Sequence, residues 1–256
     1  MYADYDADCL IKRVFGTTPE QIASTVLLAP AKSIVAELVN RLQDPQPFGT
    51  WFTGISGFLE RNFVTVLDNI RYAPGMGDCV YFLQFAGVKN LIYTGAIGGL
   101  EKGMAIGDFI LVQEAERGDG ASKYYSPIAT PALASDDLRD VVRPFLQAGA
   151  DDEGHQLFEG RIFTTDSLAA ETVDFLSSLQ LRDFLGIEME TSALYVVAQC
   201  LGMHAVAAHV VSDLPLAGKT LFDELTKNEK ERRASAYSAI VNALARAMKT
   251  LTTKNE

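Results

Sequence analysis

STVLLAP (residues 24–30) running into AKSIVAELVNRLQD (31–44) is the stretch on which the fold turns. The first part is a short, unbroken apolar run rich in β-branched and aliphatic residues, the pattern of a strand buried on both faces. The second places Ile34, Val35, Leu38, Val39 and Leu42 on one side of a helix. Together they predict a β-α unit. The same alternation recurs along the chain. Strands are predicted around NFVTVLDN (62–69), in NLIYTGAIGGL (90–100) before it breaks into a Gly-rich turn, in AIGDFILVQEAER (105–117) and in RIFTTDS (161–167). GIEMETSALYVVAQCLG (186–202) opens on two carboxylates and continues as a helix stopped at Gly202, and AVAAHVVSDLP (205–215) is an apolar strand that ends abruptly. Residues 223–251 carry Ala236, Ile240, Leu244 and Leu251 at helical spacing. DPQPFGTWFTGISG (44–57) and APGMGD (73–78) read as loops from their Pro and Gly content. The expectation is an α/β fold, a three-layer sandwich with a central mixed, largely parallel sheet flanked by helices, in one domain over residues 1–256.

Composition narrows the function. The 256 residues are 48% hydrophobic and 21% charged, which suits a folded globular chain, and the net charge of −11 argues against a broad electrostatic grip on nucleic acid or an anionic membrane. The N-terminus, MYADYDADCLIKRVFG, is acidic where a signal peptide is basic, and no apolar run reaches the length of a membrane span, so a cytoplasmic location is expected. Cys9, Cys79 and Cys200 form no CxxC pair. His155, His204 and His209 fall at no metal-ligand spacing, and neither a disulfide framework nor a metal is expected. TGAIGG lacks the GxGxxG spacing of a dinucleotide turn, and Tyr124 and Tyr125 do not stand in a Tyr-xxx-Lys pair with Lys123, which sets a nicotinamide-dependent dehydrogenase aside.

In open α/β sheets ligands bind at the carboxyl ends of the strands, so polar residues just after apolar runs are the candidates. Asp213 follows the apolar run from 205. Desolvation there would raise its pKa and let it hold a proton near neutrality, although a carboxylate before Leu-Pro is also an ordinary turn cap. Glu188 and Glu190 lie two apart ahead of a helix: they point the same way if the chain is extended and diverge if it is helical. A carboxylate accepts paired hydrogen bonds from the vicinal hydroxyls of a ribose, while acidic residues are also favoured at any helix N-terminus.

TGAIGGL with the later IGD of Asp108, ERGDGASKYYSP (116–127), GIEMETSALYVVA and VVSDLP stand in the order and spacing of the nucleoside phosphorylase and nucleosidase superfamily, which the chain resembles over residues 90–215. ERGDGASKYYSP looks like uridine phosphorylases; TGAIGGL followed by Asp108 looks like methylthioadenosine nucleosidases. The resemblance implies cleavage of the N-glycosidic bond of a nucleoside. It assigns Glu190 to the ribose hydroxyls, Met189 to the sugar pocket, and Asp213 to protonation of the leaving base, as in the purine-acting branches. Thr94, Gly95 and Ala96 would lie beneath sugar and base, and Thr164, Asp166 and Leu168 fall on the family's base-contacting loop. No cofactor is implied beyond inorganic phosphate as a possible co-substrate, and a homo-oligomer is implied.

The nucleophile is where the chain departs from the resemblance. Phosphorylases of the family grip phosphate with arginines and a Gly-rich loop; here the first loop has only Lys32, Asn90 precedes the TG turn, and GMGD carries Asp78. If phosphate is used, its contacts fall to Lys32, Gly75, Gly77 and Thr94, with Arg61, Arg71 or a neighbouring subunit able to add charge. Three readings therefore stand: phosphorolysis to ribose 1-phosphate, placed first because EMET and DGAS look like phosphorylases; hydrolysis by water; and a nucleoside-binding protein without catalysis.

Overall fold

The computed structural model describes residues 4–127 and 131–252. Ten strands join in one mixed sheet: β1 (Thr25–Leu28), β2 (Gln43–Gly49), β3 (Thr53–Leu59), β4 (Asn62–Asp68), β5 (Asn90–Gly99), β6 (Phe109–Arg117), β7 (Ala132–Leu133), β8 (Leu157–Thr164), β9 (Gly186–Glu188) and β10 (His204–Asp213). The helices are α1 (Ala7–Val14), α2 (Lys32–Val39), α3 (Tyr72–Leu83), α4 (Ser122–Tyr125), α5 (Asp136–Glu153), α6 (Val173–Gln180), α7 (Thr191–Cys200) and α8 (Lys227–Thr252). None of the described helices is long and apolar enough to cross a membrane. The acidic N-terminus forms α1 from Ala7, its first three residues lying outside those described.

The heart of the sheet is parallel, as its apolar runs predict: β1 lies between β4 and β5, and β5 is parallel to β10. Antiparallel contacts β10–β6 and β5–β9, with parallel β6–β8 and β8–β9, close β5, β10, β6, β8 and β9 into a ring. The sheet is mixed, as expected: five pairings are parallel, including the central ones, and five are antiparallel. Side chains alternate between two cores. On β10, Ala205, Ala207 and Val211 enter a core with α1, α3 and α7, while Val206, Ala208 and Val210 enter one with α2, α5 and α8. Helices thus cover both faces, giving the three layers.

Four local readings change. Residues 44–57, expected as a loop, fall within the hairpin β2–β3 at the sheet margin; Pro45 and Pro47 are tolerated because β2 is an edge strand that, among the described residues, pairs only with β3. APGMGD is not a loop but the first turns of α3. Pro74 sits where no helical N–H bond is lost, and Met76, Cys79, Val80 and Leu83 bury one stripe, with Gly77 seated against Val197 of α7 and Tyr125. The Gly-rich turn after Thr94 is instead the continuation of β5 through Gly99. A Cβ at Gly99 would approach Val211 Cγ1 to 2.9 Å, so glycine there permits β10 to lie alongside. Finally, α2 stops at Val39 rather than running to 44.

Candidate active site

The carboxyl ends of β5 and β10, the loop after β1, the start of α3 and the segment from β9 into α7 surround a cleft of about 200 Å³. Ile187, Leu168 and Leu221 give it apolar walls; Arg71, Glu171, Glu188, Glu190, Ser212 and Asp213 are its polar groups.

Glu190 occupies the N-cap of α7 and is 8% exposed. Its Oε1 accepts the Tyr72 backbone N–H at 2.5 Å and its Oε2 accepts the Tyr93 hydroxyl at 3.0 Å. Tyr72 delivers that N–H from a left-handed backbone, φ +63°, a conformation that costs a non-glycine residue about 1–2 kcal/mol. Burial pushes the Glu190 carboxyl up; the Tyr72 and Tyr93 hydrogen bonds and the Arg71 guanidinium oppose the rise. Two donors fix the carboxylate plane and leave a lone pair on each oxygen for a ligand diol. Glu188 resolves the two-carboxylate ambiguity. Its oxygens accept Thr164 Oγ1 at 2.6 Å, the Glu190 N–H at 2.8 Å, and the Thr191 N–H and hydroxyl, both at 2.9 Å. It is spent on holding the start of α7, and burial followed by the nearby Glu190 raises its pKa.

Asp213 ends β10 where the register with Gly98 shifts, a bulge of the kind that re-aims a side chain. It is 6% exposed, and Ser212 Oγ donates to its Oδ1 at 2.6 Å. Burial raises its pKa, partly offset by the Ser212 hydrogen bond and by Arg233. The acid form is therefore favoured beyond the usual carboxylate range.

Of the residues expected from the sequence, Ala96, Leu168, Met189, Glu190 and Asp213 line this cleft. Thr94, on β5 between the lining residues Tyr93 and Ala96, is fully buried and does not itself line the cleft, and its Oγ1 has no partner among the described residues. Gly95 lets the floor close: a Cβ there would meet Pro30 Cγ at 3.2 Å and the Tyr93 hydroxyl at 3.3 Å. Thr164 points elsewhere, donating to Glu188 and accepting the Ser192 N–H at 3.0 Å. Asp166 accepts the Gly120 N–H at 2.8 Å and braces that loop. Lys32 is exposed, and neither it nor the helical residues Gly75 and Gly77 line this cleft. Asp78 also stands outside the cleft, so its negative charge does not guard the entrance. Asp108 caps a turn: it accepts the Ala105 and Gln156 N–H groups and pairs with Arg232 at 2.6 Å. The sequence reading missed Tyr93 and Glu171, and it named Arg71 only as one of several spare cations. Among the described residues no three His, Cys, Asp or Glu side chains gather as a metal-holding group.

The cleft thus lies at the strand ends, where open α/β sheets bind ligands, and holds one buried carboxylate with free acceptor capacity and another whose acid form is favoured. The description Phosphorylase superfamily matches residues 76–246, about two thirds of the chain, and the chain belongs to that superfamily. It is 29% identical over 242 residues to a DeoD-type purine nucleoside phosphorylase of Listeria welshimeri, covering 90% of this chain and 96% of the relative. It is 26% identical to a guanosine phosphorylase of Halorubrum lacusprofundi, over 67% of this chain and 71% of the relative. In fold it resembles a uridine phosphorylase of Vibrio fischeri (TM-score 0.79, 19% identity, 91% and 94% of the two chains). A purine nucleoside phosphorylase of Toxoplasma gondii in complex with immucillin-H is similarly close (TM-score 0.78, 18% identity, 93% and 95%).

Proposed function

We propose that this enzyme cleaves the glycosidic bond of a purine nucleoside by phosphorolysis, giving the free base and ribose 1-phosphate. The observation that carries the reading is the meeting of buried Glu190, buried Asp213 and the Arg71 guanidinium in one cleft. Glu190 takes the ribose 2′- and 3′-hydroxyls on its two free lone pairs. As the C1′–N9 bond breaks, its electron pair moves onto the base and N7 gains the Asp213 proton, so the base leaves neutral. A phosphate oxygen bonds to C1′ of the oxocarbenium-like sugar, and the proton that phosphate sheds restores the acid through solvent. Arg71, beside Glu190 and with its Nε bonded to the Pro30 carbonyl at 3.2 Å, supplies positive charge for the incoming phosphate. The purine preference is supported by a protonated carboxyl poised for N7 and by the relatives' names.

Hydrolysis remains the competing reading because Arg71 is the one cation among the described residues that line the cleft. Base release from inosine, adenosine and guanosine, followed by absorbance with and without phosphate, separates the two. We expect turnover to require phosphate and ribose 1-phosphate to accumulate; unchanged turnover in phosphate-free buffer would select water. Tyr93→Phe tests the positioning of Glu190. It removes one donor worth about 1 kcal/mol while keeping the ring, so KM for the nucleoside should rise roughly fivefold with kcat nearly constant. An unchanged KM would show that the tyrosine does not set the carboxylate.

A further inference from the structure

His209 is a buried titratable group that the proposed chemistry leaves unused. It stands on β10 in register with Gly95 of β5, is fully buried, and packs edge-on against the Tyr93 ring with centroids 5.2 Å apart. Its Nε2 lies 3.0 Å from Thr191 Oγ1, while Nδ1 has no hydrogen-bond partner among the described residues. Burial pushes the ring pKa down to about 3, so the imidazole is neutral and carries its N–H on one nitrogen or the other.

The hydrogen bonds around the ring can run in two directions. With Glu188 ionised, the Thr191 hydroxyl donates to Glu188 Oε2 at 2.9 Å, so Thr191 Oγ1 accepts from His209 and the ring proton is on Nε2. Nδ1 is then a buried acceptor with nothing to accept, which is costly. With a proton on Glu188 the order reverses. The carboxyl O–H donates to Thr191 Oγ1, Thr191 donates to Nε2, and the ring bears its proton on Nδ1, Nε2 being taken, where the Gly95 backbone favours it. One N–H bond is exchanged for another, the ring stays neutral, and the single added proton, drawn from solvent, rests on Glu188.

Glu190 has no such route, because its fixed partners, the Tyr72 N–H and the Tyr93 hydroxyl, donate to it, and Arg71 favours its ionised form. Burial raises the pKa of both carboxylates and Glu190 adds to the rise at Glu188, so one proton shared by the pair is favoured. The other titratable groups that feel Glu188, the Tyr93 and Tyr195 hydroxyls, are pushed up by burial and stay neutral; Tyr195 donates to the Val112 carbonyl. We propose that His209 is a positioning residue that, through Thr191, places the shared proton on Glu188 and keeps Glu190 ionised for the ribose diol. The inference rests on the reading of Glu190 as the diol acceptor.

Nitrogen NMR of ring-labelled histidine, with the His209 signal identified by its absence from His209→Leu, follows the tautomer directly. The proton should be on Nε2 at high pH and pass to Nδ1 as pH falls, with the midpoint of a carboxyl titration that is missing from Glu188→Gln. A tautomer indifferent to pH, or a ring that gains a second proton over that range, overturns the proposal. Kinetics supply the second readout. In His209→Leu, which offers Thr191 no acceptor, the proton passes to Glu190, so the rise of KM on acidification should begin about one pH unit higher than in wild type, with plateau kcat within about threefold. His209→Gln, whose amide oxygen accepts from Thr191, should restore most of the profile. An unshifted KM profile in the leucine variant, whatever its Tm, shows a packing role alone and overturns the proposal. If the wild type cleaves no nucleoside, the proposed reaction falls, while linked tautomer and carboxyl titrations still uphold the placement of the proton.

Discussion

Asp213→Asn is expected to lower kcat on purine nucleosides by about 10²–10⁴ while leaving KM within a few-fold of wild type. The two effects separate because the substitution removes the proton and little else. Asparagine has the shape to accept the Ser212 hydroxyl as Asp213 Oδ1 now does, and its amide N–H still reaches a base nitrogen, so ground-state binding survives. The base must then leave as an anion, and the whole loss appears in the transition state. A riboside whose leaving group needs no proton, such as nitrophenyl riboside, should be cleaved by the variant at nearly the wild-type rate.

The pH profile supplies an independent check. Asp213 works only in its acid form, and burial raises its pKa above the ordinary carboxylate value. Wild-type activity should accordingly be present below that raised pKa and fall as pH climbs through it, and this alkaline limb should vanish in the Asn variant. The contrary view, that Asp213 merely caps the turn into Leu214 and Pro215, makes the opposite forecast: full activity with a lowered Tm. Stopped-time assays of base release across pH decide between them.

How much of this was legible in the sequence depends on whether a feature is local. β1, β5 and β10 announce themselves as apolar runs because both of their faces are buried, and Asp213 could be found as the first charge after such a run. The hairpin β2–β3 was hidden because an edge strand makes few demands on its residues, so Pro45, Pro47 and Gly49 imitate a loop. The α3 start was hidden for a related reason: Gly75 and Gly77 lower helix propensity, and the burial of Met76, Val80 and Leu83 that overrides it is a tertiary fact. Arg71, Tyr93 and Glu171 have no local signature at all. Arg71 enters the cleft because Tyr72 takes a left-handed turn, and Tyr93 reaches Glu190 across 97 positions of sequence. Resemblance placed Glu190 at the sugar, but only the hydrogen bonds say why Glu188, two residues earlier, is not interchangeable with it.

Glu190→Ala carries the second large effect, a fall of roughly 10²–10⁴ in kcat/KM for ribonucleosides. Hydrogen bonds to a charged acceptor contribute about 1.5–3 kcal/mol each, and two ribose hydroxyls depend on this one carboxylate. The loss is enlarged because the Tyr72 N–H and the buried Tyr93 hydroxyl both surrender their acceptor, and the left-handed turn at Tyr72 loses the contact that rewards it. A general weakening of the fold would also lower activity, so the discriminating measurement varies the sugar. Wild type should strongly prefer a ribonucleoside over its 2′,3′-dideoxy counterpart, whereas the alanine variant should treat the two alike, since the group that reads the hydroxyls is gone. If the preference persists undiminished in the variant, the diol is held elsewhere in the cleft and Glu190 serves only to hold the Tyr72 turn and the Tyr93 hydroxyl.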